Sequence, residues 1–223
     1  MMHDLLVIWF GWVEQWGCLG VVILMALEST IIPVPSEVVV PPAMFLAAKG
    51  DLTLWGGNSP AAGFWAVVWA GTIGSYVGSA ISYGVARWLG RPIIIRWGKY
   101  FLVPEKKLAM AEVWLARYEA GGIFFARLLP VIRHLISIPA GIIRMKFWMF
   151  SLMTSVGAFI WCVVLAWLGQ KAYKMEPELI NDPAKMVSFM KAQSHWIVIG
   201  IVALMVLYFL VLRLTAPKKD QVA

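Results

Sequence analysis

Charge is what this sequence has least of. Only 14% of its 223 residues are Asp, Glu, Lys or Arg, whereas 61% are hydrophobic. That balance excludes an ordinary water-soluble domain, because the apolar excess lies in long runs rather than on alternating faces. Cysteine is nearly absent: Cys18 and Cys162 sit in apolar surroundings without CxxC or Cys/His spacing, and are read as structural thiols. Histidine is equally sparse, with His3, His134 and His195 scattered along the chain. A lipid phosphatase or intramembrane protease would need a nucleophile, a base and an orienting partner, and no such set is legible. Neither HExxH nor GxxxxGK[ST] occurs, so no catalytic residue, metal ligand or cofactor site is assigned. The N-terminal run lacks a basic flank and a small-residue cleavage site and carries Glu14, so it is expected to remain in the mature protein.

What is present are spans. Residues 62–86, "AGFWAVVWAGTIGSYVGSAISYGVA", are uncharged over more than the roughly 20 residues a membrane-crossing helix needs. Gly71, Gly74, Gly78 and Ser82 recur there at helical spacing, clearing one stripe for close approach of another backbone. Further crossings are expected at about 147–168 and 196–214, separated by a polar loop over 170–194.

Two other apolar segments are interrupted. Residues 18–48 are broken by Pro33, Pro35, Pro41 and Pro42, and residues 121–143 by Pro130 and Pro139. Each half is shorter than a bilayer, and proline both removes a backbone donor and disfavours helix at the residue before it. Irregular backbone at membrane depth must be buried in protein or face a watery cavity. Both segments therefore read as re-entrant helical hairpins, broken at "IIPVPSE" and "RLLPVIRH". Mixed helices at 2–16 and 104–119, short enough to lie along the interface, precede them. The order of interfacial helix, broken hairpin and spanning helix occurs twice, with one crossing between the copies. The expected architecture is all-α and polytopic: two inverted repeats, an added C-terminal helix at 195–214 and a tail at 215–223.

The formal net charge is +7, and the basic residues flank apolar segments with no nucleic-acid motif, which favours anionic lipid headgroups over nucleic acid. Arg87, Arg91, Arg96, Lys99, Lys106, Lys107 and Arg117 crowd the middle loop, and Arg213, Lys218 and Lys219 the C-terminus. Both regions are expected on the cytoplasmic side, and 170–194 outside. The 13 tryptophans read as interfacial anchors.

Four charges remain inside the apolar regions: Glu28 and Glu37 in the first hairpin, Arg127 and Arg133 in the second. A charge at membrane depth costs roughly 2.5–3.5 kcal/mol on insertion scales, so these should be paired or wetted. Two buried ion pairs that dock one hairpin on the other would satisfy that demand. Buried pairs contribute little net stability, however, and the grouping fits a site better. A guanidinium fork suits phosphate oxygens, which makes Arg127 and Arg133 the candidate anion binders. Burial raises a carboxylate pKa and a neighbouring arginine lowers it, so Glu28 and Glu37 are candidates for proton or cation coupling. His134 is read as a local hydrogen-bond partner.

Three motifs in order, "ESTIIPVPSE" (28–37), "AGTIGSYVGSAISYGVARWLGR" (70–91) and "FFARLLPVIRHLISIPAG" (124–141), resemble the DedA family, whose core is the SNARE-associated or VTT domain. The resemblance covers about 15–170. It implies a multi-pass protein of the bacterial inner membrane that moves undecaprenyl phosphate or a phospholipid between leaflets, as a flippase or scramblase, with protons as a second partner. It matches Glu28 and Glu37 to the family's acidic positions and Arg127 and Arg133 to its arginine pair. It also matches Gly71, Gly74, Gly78, Tyr83 and Gly90 to the glycine-rich helix, and Pro130, Pro139 and Gly141 to the second break. The sequence departs at Ser79, where many relatives carry an acid. A proton-coupled ion antiporter and a non-transporting scaffold are the alternatives, and the sequence leaves the oligomeric state open, a homo-oligomer included.

Overall fold

The computed structural model describes residues 2–30, 36–50, 52, 60–98, 115, 121–129, 133, 135–175, 199–200 and 206, and every regular element among them is helical. Helix α1 (Met2–Trp16) ends one residue before α2 (Cys18–Glu28). A 3-10 turn (Ser36–Val38) leads into α3 (Val40–Lys49), and α4 runs over Pro60–Gly98. Residues 121–128 form α5, followed by α6 (Ser137–Ile142) and α7 (Phe147–Met175).

Length sorts these helices. The apolar spans Ala61–Gly90 and Phe147–Met175 hold 30 and 29 residues, long enough to cross a membrane. Helices α2 and α3 hold 11 and 10 residues. At a rise of about 1.5 Å per residue they reach roughly half of a 30 Å hydrocarbon layer.

The surface chemistry of α4 is inverted relative to a soluble helix. Trp65, Trp69, Ile73, Val77, Ile81 and Val85, each four residues from the last, form an exposed apolar column. Thr72, Ser75, Ser79 and Ser82 are buried on the other side. Apolar groups outside and hydroxyls inside is the arrangement a hydrocarbon solvent favours, since buried hydroxyls need partners and lipid supplies none. The partners are found: Ser79 donates to the Ser75 carbonyl at 2.6 Å, Ser82 to the Ser29 carbonyl at 3.0 Å, and Ser29 and Ser75 share a hydrogen bond at 3.1 Å.

The glycine stripe lets α2 pack on α4. A Cβ on Gly74 would lie 2.3 Å from the Val22 carbonyl oxygen, and one on Gly78 would lie 2.1 Å from that of Ala26. Gly71, a turn earlier, abuts Cys162 on α7 instead, 2.9 Å from its Sγ by the same measure. Helix α4 also packs on α7 and α3, and two further contacts are crossed: α3 lies on α7, where Gly169 meets Pro41, and α6 lies on α4, where Gly141 meets the Tyr83 carbonyl. Two buried apolar clusters result, one centred on Leu24, Phe45, Val67 and Leu165, the other on Tyr83, Ile123, Ile136 and Phe150.

Several boundaries differ from the sequence reading. Pro41 and Pro42 do not interrupt the chain; they lie in the first turn of α3, where a missing N–H has no intrahelical role. Pro139 likewise sits inside the first turn of α6. Arg87, Arg91 and Arg96 belong to the helical backbone of α4 rather than to a loop, because the chain breaks at Gly90 and then resumes as helix. The break uses φ 70° and ψ 176°, a region essentially restricted to glycine. Helix α7 continues to Met175, so 170–175 are not loop. Trp161 is buried, unlike the exposed Trp88 and Trp148, and is no interfacial anchor. Pro33, Pro35, Pro130, His134, the 104–119 helix apart from helical Leu115, and the tail lie outside the described residues. So does the C-terminal span, apart from helical residues 199–200 and 206.

Candidate functional site

Glu28 is the last residue of α2, and its carboxylate bridges the first break in the chain. Its Oε1 accepts the backbone N–H of Ser36, the first residue of the 3-10 turn, at 3.1 Å. The same oxygen accepts Nη2 of Arg133, forming an ion pair between residues 105 apart in the chain. Arg133 Nη2 also donates to the Ser36 hydroxyl, which receives the Trp161 indole N–H at 3.3 Å. Beneath this group the Arg133 guanidinium lies over the Trp161 ring, 5.1 Å from its centroid. Such a cation–π contact adds about 2 kcal/mol when desolvated. Glu28, Arg133 and Trp161 are 5%, 7% and 2% exposed, so the pair is buried.

Arg127 sits on α5 and is 2% exposed. Its Nη2 donates to the Ser137 hydroxyl at the start of α6 at 2.8 Å. Its position depends on α7, because a Cβ on Gly157 would lie 2.6 Å from the Arg127 Cβ. Thr154, Gly157 and Trp161 occupy one face of α7, at spacings of three and four, and that face supports both arginines.

The donor inventory of the two guanidiniums is incompletely used. Arg133 Nε and Nη1 and Arg127 Nε are buried without a hydrogen-bond partner among the described residues, as is the Thr154 hydroxyl. A buried donor left unmatched costs roughly 1–3 kcal/mol, more when charged. Guanidinium N–H groups in a low-dielectric setting are donors suited to a tetrahedral oxyanion, which presents several acceptors at once.

Three of the four anticipated charges are therefore buried, and two of them meet. Glu37 is half-buried in the 3-10 turn and makes no ion pair with either arginine among the described residues. Arg127 is anchored by a neutral hydroxyl rather than by a carboxylate. Ser36, Ser137 and Trp161 were missed from sequence. Ser36 lies inside the quoted Pro-Ser-Glu motif and could have been found there, whereas nothing distinguishes Trp161 in its apolar run from a lipid-facing tryptophan.

Comparison with known proteins adds an independent line. The chain is 34% identical over 158 residues to undecaprenyl phosphate transporter A of Bacillus subtilis, covering 71% of this chain and 73% of that protein. It is 35% identical over 161 residues to an alkaline phosphatase-like protein of Lactococcus lactis subsp. cremoris, covering 70% and 71%. Undecaprenyl phosphate transporter A of Staphylococcus aureus is 29% identical over 162 residues, with coverage of 71% and 75%. No solved structure matches. The VTT domain pattern matches residues 34–171, a span that holds Glu37, Arg127 and Arg133 and most of α7. The chain is accordingly a membrane protein of the VTT-domain, or DedA, family.

Proposed function

We propose that this protein carries an anionic lipid, undecaprenyl phosphate or a phospholipid, between the leaflets of the bacterial inner membrane. The observation that carries the reading is the pair of buried arginines with unmatched N–H donors among the described residues. In this mechanism Arg133 and Arg127 hold the phosphate while the apolar tail stays in lipid. Glu28 occupies Arg133 when no phosphate is bound, so it competes with substrate and keeps the guanidinium charge compensated. Protons act through Glu28, with Glu37 in the 3-10 turn whose first residue Glu28 caps. The printed names of two relatives support undecaprenyl phosphate as the cargo. No bond is made or broken, and the chain acts as a carrier rather than an enzyme.

The same reading takes the architecture as two inverted repeats with re-entrant hairpins. It is supported by the half-membrane length of α2 and α3 and by the crossed packing of α3 on α7 and α6 on α4. A pseudo-twofold relation between α1–α4 and the segment ending in α7 would generate that reciprocity.

Liposomes containing the purified chain and labelled undecaprenyl phosphate provide the test. Relocation of label between leaflets that Arg133→Ala leaves at the parental rate would overturn the assignment. The buried Glu28 also fits a proton-coupled ion antiporter, and proton flux driven by a cation gradient in vesicles lacking polyprenyl lipid would favour that alternative.

A further inference from the structure

The turn from α6 into α7 forms a second basic site with α4, built from residues other than the buried pair. A cavity of about 560 Å³ opens there, lined by Tyr83, Arg87, Arg144, Lys146, Phe147 and Trp148 among others, none of them acidic. Arg87 is held in place by neutral groups: its Nη1 donates to the Tyr83 hydroxyl at 2.8 Å and to the Met145 carbonyl at 3.4 Å. The Tyr83 hydroxyl in turn donates to the Met145 carbonyl, tying α4 to the turn. No carboxylate pairs with Arg87, Arg144 or Lys146 among the described residues, so three cations share one concavity uncompensated.

Arg144 gives the site its second feature. The turn closes α6 with paired hydrogen bonds, Arg144 N–H to the Gly141 carbonyl at 3.0 Å and Met145 N–H to the Ala140 carbonyl at 3.1 Å. That pattern places the residue after the cap in the left-handed region and is usually filled by glycine. Here the position has φ 54° and carries arginine, the sole non-glycine with positive φ among the described residues. A bulky cation is kept where backbone sterics favour no side chain, and strain of this kind points to a role for the side chain.

The surroundings identify the ligand. The site lies where the apolar span Ala61–Gly90 ends and the span starting at Phe147 begins, the level at which hydrocarbon gives way to headgroups. Trp148, which lines it, and Trp88, which follows Arg87 in α4, are 68% and 86% exposed, as aromatic side chains at a membrane interface are. We propose that this cavity binds the phosphate of an anionic phospholipid headgroup in the adjoining leaflet, with Arg144 and Lys146 contacting the phosphate and Trp148 the glycerol and upper acyl region. This site is independent of the transport reading.

Native mass spectrometry of the full chain, titrated with phosphatidylglycerol or with phosphatidylcholine of the same acyl chains, tests it. The parent should retain phosphatidylglycerol preferentially. Each basic residue near an anionic surface contributes roughly fivefold in affinity, so an Arg144→Gly, Lys146→Gln variant should bind it about 25-fold more weakly. Phosphatidylcholine, whose choline cation offsets its phosphate, should lose much less. Glycine is at ease at φ 54°, so Arg144→Gly should melt no lower than the parent, which separates lost binding from lost folding. Lys146→Arg should retain binding. Equal retention of the two lipids by the parent, or unchanged phosphatidylglycerol binding by the double variant, would overturn the proposal. Displacement of the lipid by millimolar inorganic phosphate would also overturn it, in favour of a soluble-anion site.

Discussion

Arg133 donates to the Glu28 carboxylate across 105 residues of sequence, and the oxygen it uses also accepts the Ser36 backbone N–H. One atom therefore joins the end of α2, the 3-10 turn at Ser36 and Arg133 beyond α5. The consequences of removing it differ for each partner.

Glu28→Ala leaves a buried guanidinium without its counter-charge, a change expected to cost roughly 3–5 kcal/mol. The double variant Glu28→Leu, Arg133→Met removes both charges and should be appreciably more stable than either single change. Unfolding in detergent monitored by circular dichroism reads the difference. A Glu28→Ala protein that melts with the parent would mean the pair is solvated in the membrane.

Trp161 supports Arg133 through its ring face and Ser36 through its N–H. Trp161→Phe keeps a π face and loses the hydrogen bond, so substrate affinity in the liposome assay should fall by about 1 kcal/mol or less. Trp161→Ala loses both contacts and should fall further, by about 2 kcal/mol or more. Equal effects of the two substitutions would remove the ring face from the account.

A methyl group on Gly78 meets the Ala26 carbonyl oxygen, whereas one on Gly84 meets nothing within 4 Å. Gly78→Ala should push α2 off α4 at a cost of about 1–3 kcal/mol. Gly84→Ala should raise stability by roughly 0.5–1 kcal/mol, the usual gain from replacing a helical glycine. Thermal melts of the two single variants should shift in opposite directions.

Thr154 keeps a hydroxyl fully buried with no hydrogen-bond partner among the described residues. Thr154→Val removes the polar atom at constant shape and should stabilise the protein by about 1 kcal/mol or more. If the hydroxyl serves the phosphate, transport falls while the melting temperature rises. A loss of stability would show instead that the hydroxyl has a structural partner.

The elements that sequence made legible are those governed by a single local rule. The span of α4 announced itself by uncharged length, its packing face by glycine at helical spacing, and Glu28, Arg127 and Arg133 by the cost of charge in an apolar run. What stayed hidden depends on the register between distant helices. Trp161 becomes a site residue only because α7 brings it to Ser36 and Arg133, and Ser137 only because the start of α6 lies beside Arg127 of α5; neither residue type is unusual where it stands. Proline misled in the opposite direction. Pro41, Pro42 and Pro139 look like breaks in a string of letters, yet each falls in the first turn of a helix, where its missing N–H costs nothing.

The crossed packing of α3 on α7 and α6 on α4 also orders events during synthesis. When α3 leaves the ribosome, the α7 surface around Gly169 has not yet been made, and Arg133 is likewise still to come. The first half of the chain therefore exists before Arg133, the counter-charge of Glu28, and before the α7 surface on which α3 packs. Its final shape is reached only when the second half arrives to complete it.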